Sequence, residues 1–304
     1  MDKLYEAVAG RGHVCVGLDT AIEYIPQKVR AIFSSGADAV LAYNVAVIDA
    51  TIDIAACYKV QIAYYEALGL PGLLAYAATL RYLREKNALS IADIKRGDIA
   101  DTASRYASAH FNGDFEADFV TLSPYMGMDA IEPWFEWAHK KGKGAFVLMR
   151  TSNRGRCDFE ELNLDGPASH KLKVYDAVGF KISELADALS GEHGYGAFGV
   201  VVGADPKSPE EREEAAAIRS GYPNLFFLIP GYGAQGGAAS DAALLLRNGN
   251  GGVVNASRSI LKAWTANAAS AGIDASEVDY NFAANAARNA ALDMRDAIRA
   301  AARG

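Results

Sequence analysis

The stretch ALSIADIKRGDIADTASRYA, residues 88–107, begins as an apolar strand and then presents Asp93, Lys95 and Asp98. A strand alternates its faces, so Asp93 and Lys95 point the same way. Lys59 interrupts a second apolar run, CYKVQI, in the same manner. Together they form a candidate Lys–Asp–Lys–Asp array. Neighbouring carboxylates keep such lysines protonated. A protonated lysine in a closed pocket can act as general acid and stabilise a developing carbanion. A carboxylate beside it repels an anionic ground state that loses its charge as the reaction proceeds. The structural alternative is a buried ion pair with Asp98 as the N-cap of the next helix. Asp suits a cap, but buried ion pairs return little net stability, so chemistry explains the inward pair better.

A second candidate lies further along. LFFLIPGYGAQGG carries Gly231, Gly233 and Gly236, a G-x-G-x-x-G match after a strand. The acidic residue of a dinucleotide site, about 20 positions on, is absent. A Gly-rich turn also cradles a single phosphate. The last strand ends in NASR and brings Arg258, a bidentate phosphate partner, to the same place. Without a secretory signal, the sequon NAS is a chance match.

These residues need a scaffold that gathers strand ends. Apolar runs occur at 13–19, 57–62, 89–95, 118–124, 144–152, 198–204, 225–231 and 251–257. They alternate little, as parallel strands buried on both faces should. Helical patterns fall between them, among them 72–87, 128–142 and 208–221, and 39–56 is read as helix. Eight strands alternating with helices predict an α/β fold, a (β/α)₈ TIM barrel, as one domain over 1–304. An Ala-rich tail, 275–303, predicts a terminal helix covering barrel or partner surface. In such a barrel chemistry belongs at the strand C-termini. Asp19, Lys59, Asp93, Lys95, Ser123, Ser152, Gln235 and Arg258 all fall there. The polar insertion 153–173, after the fifth strand, is long enough to be functional.

Composition narrows the function. The net charge of −7 argues against a general nucleic-acid binder. No apolar run approaches the roughly 20 residues of a membrane span, and MDKLYEAVAGRG lacks a signal peptide's apolar segment. Cys15 and Cys57 sit in apolar strands and predict buried free thiols. With Cys157 they fit a reducing cytoplasm. No Cys/His cluster has zinc spacing, and the five histidines fit no motif.

The array, read as D-x-K-x-x-D-I-x-x-T over Asp93, Lys95, Asp98, Ile99 and Thr102, resembles orotidine 5'-phosphate decarboxylases of the longer branch common in bacteria. GLD, YK, TSN, PGYGAQGG and NASR fall in the family's order along nearly the whole chain. The resemblance implies a dimeric barrel that converts orotidine monophosphate to UMP, the last step of de novo pyrimidine nucleotide synthesis, without metal or organic cofactor. It implies that Asp19 contacts a ribose hydroxyl and that Lys59 holds ribose and array together. Asp93 crowds the substrate carboxylate, and Lys95 gives a proton to C6. Asp98, Ile99 and Thr102 serve the neighbouring protomer's site. Ser152 meets the pyrimidine edge, Gln235 bridges phosphate and base, and Arg258 binds phosphate. Asn44 and Ser123 join the site with no defined role, and 153–173 shares the work of a lid. Two rivals remain: a metal-dependent sugar-phosphate decarboxylase or aldolase of the same superfamily, and a silent nucleotide-binding barrel used as a regulator.

Overall fold

A computed structural model of the chain describes residues 1–164, 172–233 and 237–303. Among these residues eight parallel strands close into a barrel in chain order: β1 (Val14–Gly17), β2 (Cys57–Gln61), β3 (Ser90–Arg96), β4 (Phe119–Leu122), β5 (Gly144–Arg150), β6 (Phe198–Val202), β7 (Phe227–Ile229) and β8 (Gly252–Ala256). Each strand coincides with its expected run, β3 extending one residue beyond it to Arg96, and 39–56 falls in the helix Gly36–Thr51 and the turn after it. That helix starts where Ser35 Oγ accepts the N–H of Asp38, one of the helix's unpaired donors.

The period of two divides the strand residues between two cores. Cys15, Cys57, Ile91, Phe119, Phe146 and Val253 fill the barrel interior, while Val16, Val60, Ala92, Val147, Val200 and Val254 face the helices. Cys15 and Cys57 are cross-strand partners, and both are buried free thiols. The N-terminal helix Asp2–Arg11 sends Leu4 and Val8 into the interior cluster, closing the pole opposite the strand C-termini. Each of these side chains contributes about 1.5–3 kcal/mol on burial.

The C-terminal helix Tyr280–Ala301, capped by Asp279, lies on the Gly36–Thr51 helix and β1. Its buried face is mainly alanine, which permits close approach, and Arg288 ties it to Asp53 and the Ala50 carbonyl. The tail therefore covers barrel. The expected 128–142 helix is broken instead. Two 3₁₀ turns, Met128–Ala130 and Glu132–Trp134, precede a short helix, Phe135–Lys141. Pro133 lacks an N–H for a continuous ladder, and Trp134 turns inward.

In the described part of the 153–173 insertion, Arg154–Asp158 forms a 3₁₀ turn and Asn163 bridges Lys173. Arg156 pins it by pairing with Glu161 and Glu211. Residues 165–171 lie outside the described part of this expected lid.

Candidate active site

Lys59 and Gln61 are two apart on β2, so they share its inward face, and the register sets Gln61 opposite Asp93 on β3. Lys59 Nζ donates to Asp19 Oδ1 at 2.9 Å and to Asp93 Oδ2 at 2.8 Å. Asp93 Oδ2 also accepts from Gln61 Nε2 at 2.9 Å. Its Oδ1 accepts from Lys95 Nζ at 2.6 Å and Thr121 Oγ1 at 2.8 Å. A carboxylate has about four acceptor sites, and all of those on Asp93 are filled. The other oxygen of Asp19 accepts from Ser257 Oγ at 2.9 Å.

The charges follow from this pairing. Burial by itself disfavours the Lys59 ammonium, but Asp19 and Asp93 more than offset it and hold its pKa well above the ordinary lysine value. Burial likewise pushes Asp93 up, yet the Lys59 and Lys95 ammoniums outweigh it and hold the carboxyl well below the usual carboxylate range. Both side chains are nearly shut from solvent, whereas that of Lys95 is 47% exposed.

Lys95 reaches this position through an irregular strand. Its φ is +45°, a left-handed conformation that costs a non-glycine residue about 1–3 kcal/mol. The β3–β4 register shifts between Ala92 and Arg96, the mark of a bulge. The backbone N–H groups of Ile94 and Lys95 both donate to Thr121 Oγ1, each at 3.0 Å. One hydroxyl thus holds the bulge and, by donating to Asp93, locks it to the array.

The array forms one wall of a cavity of about 260 Å³, and Leu148, Val201, Leu228 and Pro230 form an apolar wall. Ser152 and Asn153 line it from the loop after β5. An adjoining hollow of about 230 Å³ holds Arg258, Tyr232, Tyr24 and Tyr64, and shares Asp19, Pro230 and Asn255 with the first. A charged slot with one apolar face thus opens onto an arginine-bearing recess.

The structure therefore brings Asp19, Lys59, Asp93, Lys95, Ser152 and Arg258 to one mouth. Gln235 lies outside the described residues. Asn44 is not at the mouth. It is fully buried, accepts from Thr20 Oγ1 at 2.6 Å and donates to the Tyr65 hydroxyl at 2.8 Å, bracing the chain around Asp19. Ser123 is half-buried outside the cavity and donates its N–H to the Arg96 carbonyl. Asp98, Ile99 and Thr102 do not line their own chain's cavity, and Ile99 and Thr102 are exposed. Asp98 is no N-cap: the helix Ala100–Phe111 starts after Ile99 without a side-chain cap, and Asp98 Oδ1 accepts the N–H of Ile99. The left-handed φ of Ala100, +48°, turns the chain at the first residue of the helix.

Gln61 and Thr121 are site residues that charge and motif alone pass over, and Asn255 and Ser257 lie in the NASR motif, in which only Arg258 has an expected role. For two of them the signal is present as a period of two: Gln61 follows Lys59 and Ser257 follows Asn255. Among the described residues no group of three or more His, Cys, Asp or Glu is placed to hold a metal ion. His13 and His110 are buried away from the cavity, and burial pushes His110 down to about 4.

Residues 12–273 match the Orotidine 5'-phosphate decarboxylase / HUMPS family. The chain is 55% identical to orotidine 5'-phosphate decarboxylase of Clostridium perfringens (strain 13 / Type A) over 300 residues, 99% of this chain and 98% of that one. It is 52% identical to the enzyme of that name from Clostridium acetobutylicum over 299 residues, 98% of each. Among solved structures, OMP decarboxylase of Leishmania donovani superposes with a TM-score of 0.75 at 28% identity, covering 100% of this chain and 98% of that one. UMP synthase of the same organism gives 0.74 at 30% identity, covering 98% of this chain and 56% of that one.

Proposed function

The chain belongs to the orotidine 5'-phosphate decarboxylase family, and from that premise we propose that it is a carboxy-lyase converting orotidine 5'-monophosphate to UMP. One observation carries this reading: a fully hydrogen-bonded, ionised Asp93 stands between two lysines on a cavity wall, and Lys95, half exposed and with Asp93 as its carboxylate partner, keeps donor capacity to face a ligand.

The C6–carboxylate bond breaks heterolytically. CO₂ leaves, and the electron pair stays on C6 as an sp² carbanion with no delocalising sink. Lys95 stabilises that charge and transfers an Nζ proton to C6. The neutral amine then recovers a proton from water. Asp93 cannot yield to the substrate carboxylate, because four donors hold it, so it opposes the ground state more than the transition state. Lys59 fixes Asp93 and Asp19 relative to each other, and Asp19 receives a ribose hydroxyl. Ser152 meets the pyrimidine, whose ring lies on the Leu148–Val201–Leu228–Pro230 wall. Arg258 takes the phosphate in the adjoining recess, and Gln235 has the role of bridging phosphate and base. Asp98, Ile99 and Thr102 serve a second copy's cavity in a homodimer, and the exposed Ile99, Leu70 and Leu74 support such an interface. The chain is one barrel domain spanning 1–304 that acts in the cytoplasm, at the last step of de novo UMP synthesis.

The test is the fall in ultraviolet absorbance as orotidine monophosphate is consumed by the purified chain. Turnover unaffected by EDTA is expected. A folded dimer with no turnover overturns the proposal. Activity lost to EDTA and restored by magnesium assigns the chain to the metal-dependent sugar-phosphate branch instead.

A further inference from the structure

Ser257 follows β8 directly and is the N-cap of the short helix Arg258–Leu261. A serine there ordinarily turns its hydroxyl onto the helix's free N–H groups. This one makes no such bond and donates to Asp19 Oδ2 at 2.9 Å. With Lys59 on Oδ1 at 2.9 Å, each oxygen of Asp19 has one donor. Two donors on opposite oxygens fix the plane of a carboxylate and leave acceptor capacity on both. The Asp19 side chain is 20% exposed, and it sits where the two hollows meet.

The neighbouring strand makes room for this arrangement. A Cβ on Gly17 would lie 2.0 Å from Ser257 Oγ and 2.9 Å from Asn255 Oδ1. Only glycine at this point of β1 lets both side chains cross above its backbone. Asn255 is steadied from below, where Cys15 Sγ donates to its Oδ1 at 3.6 Å, and its Nδ2 lies 3.5 Å from Ser257 Oγ. A line of polar contacts therefore runs from the barrel interior to Asp19.

We propose that Ser257 is a positioning residue that sets ribose discrimination: it holds Asp19 in the one orientation that accepts a hydroxyl from a ribonucleotide. A site built around a substrate hydroxyl rejects the analogue lacking it, because the buried acceptor is then left unpaired. Discrimination depends on the acceptor being held still. Freed from Ser257, Asp19 can turn to water and tolerate the missing hydroxyl. This inference rests on the reading that the ribose lies against Asp19.

The experiment measures, by calorimetry, binding of UMP, 2'-deoxy-UMP and 3'-deoxy-UMP to the full-length wild type, Ser257→Ala and Ser257→Thr. Wild type should prefer UMP over at least one deoxy analogue. Ser257→Ala should lower that preference by about tenfold, and Ser257→Thr, which keeps the hydroxyl, should retain more of it than Ser257→Ala. General loosening would weaken all three nucleotides together and leave their ratios unchanged. Ratios in Ser257→Ala equal to those of a discriminating wild type overturn the inference while leaving the ribose reading intact. UMP binding without discrimination by wild type overturns that reading and the inference with it. Ser257→Gly repeats the truncation if the alanine variant is poorly folded.

Discussion

Two strands of the barrel end in a cation next to a bulge, and the two cations behave in opposite ways. On β3 the register shifts between Ala92 and Arg96, and Lys95 faces the cavity with its side chain 47% exposed. On β5 it shifts between Leu148 and Arg150. Arg150 is 1% exposed and lies outside the barrel wall, 3.3 Å from Glu214 and 3.8 Å from Glu211 on the Pro209–Gly221 helix. Arg150 is committed to packing two layers together. Lys95 has a single carboxylate partner, and an ammonium has three donors, so it keeps capacity toward a ligand. A charge at a strand tip is therefore not itself a sign of chemistry. The bulge decides which side of the wall it serves.

The largest expected effect separates the two directly. Lys95→Ala should lower decarboxylation by at least about 10⁴-fold, since in the proposed mechanism one group supplies both electrostatic stabilisation and the proton. Its unfolding midpoint should stay near wild type, because the bulge is held by backbone N–H groups. Mixing it with Asp98→Ala should restore turnover, through one intact site per mixed dimer. Slow turnover retained by Lys95→Ala, or no recovery after verified subunit exchange, would break the roles given to Lys95 and Asp98 respectively.

Arg150→Met should show the converse. Removing one member of a buried ionic cluster strands Glu211 and Glu214 and costs about 3–5 kcal/mol, read as a lower urea midpoint. The kcat of the folded fraction should change only a few-fold, with a rise in KM, because Thr151 and Ser152 follow Arg150 into the cavity wall. A collapse of kcat at unchanged stability would erase the distinction between the two cations.

The barrel was legible in the sequence because buried parallel strands are continuous apolar runs, and Lys59, Asp93 and Lys95 stood out by interrupting them. The bulge was not legible. No glycine marks Lys95, and its left-handed backbone is imposed by Thr121, a residue 26 positions away. Gln61 and Thr121 carry no charge and sit in ordinary strands, so only register brings them to Asp93. Asp98 looked like a cap on composition, but the turn at Ala100 moves the helix start past it. Asn44 is polar within an apolar helix, a pattern shared by a ligand contact and a satisfied core residue. Only the partners Thr20 and Tyr65 decide between the two.

Thr121→Val tests whether the bulge is what sets Lys95 apart. The substitution leaves the shape and removes the hydroxyl that Ile94, Lys95 and Asp93 share. It should cost about 1–3 kcal/mol for the unpaired buried groups. It should also lower kcat by up to about 10²-fold, since displacement of a reacting group by an ångström has that effect. Thr121→Ser should recover most of both. If Thr121→Val is destabilised but keeps wild-type kcat, the bulge supports the barrel and leaves the placement of Lys95 to other contacts.

The smallest effect concerns pH, where structural and reacting charges should come apart again. Asp93 has a folded pKa below its unfolded value of about 3.9. Its contribution to stability is therefore complete above about pH 4 and is lost as pH falls further. Lys59 has a folded pKa above its unfolded value of about 10.4, so its contribution is complete below that pH and is lost only in stronger alkali. Between these limits neither group changes charge. His110 differs. Burial pushes it down to about 4, below its unfolded value of about 6.5. The unfolded chain then gains a proton first, and stability is lost as pH falls from about 6.5 toward 4, at no more than about 1.4 kcal/mol per pH unit from this group. In that window the urea midpoint should fall while kcat at saturating substrate stays level. His110→Leu should make the stability profile flatter without altering kcat, since the ring lies against Phe115 and away from the cavity. A kcat that falls in step with the midpoint would tie catalysis to a titrating group other than Asp93 and Lys59, which keep one charge throughout this range.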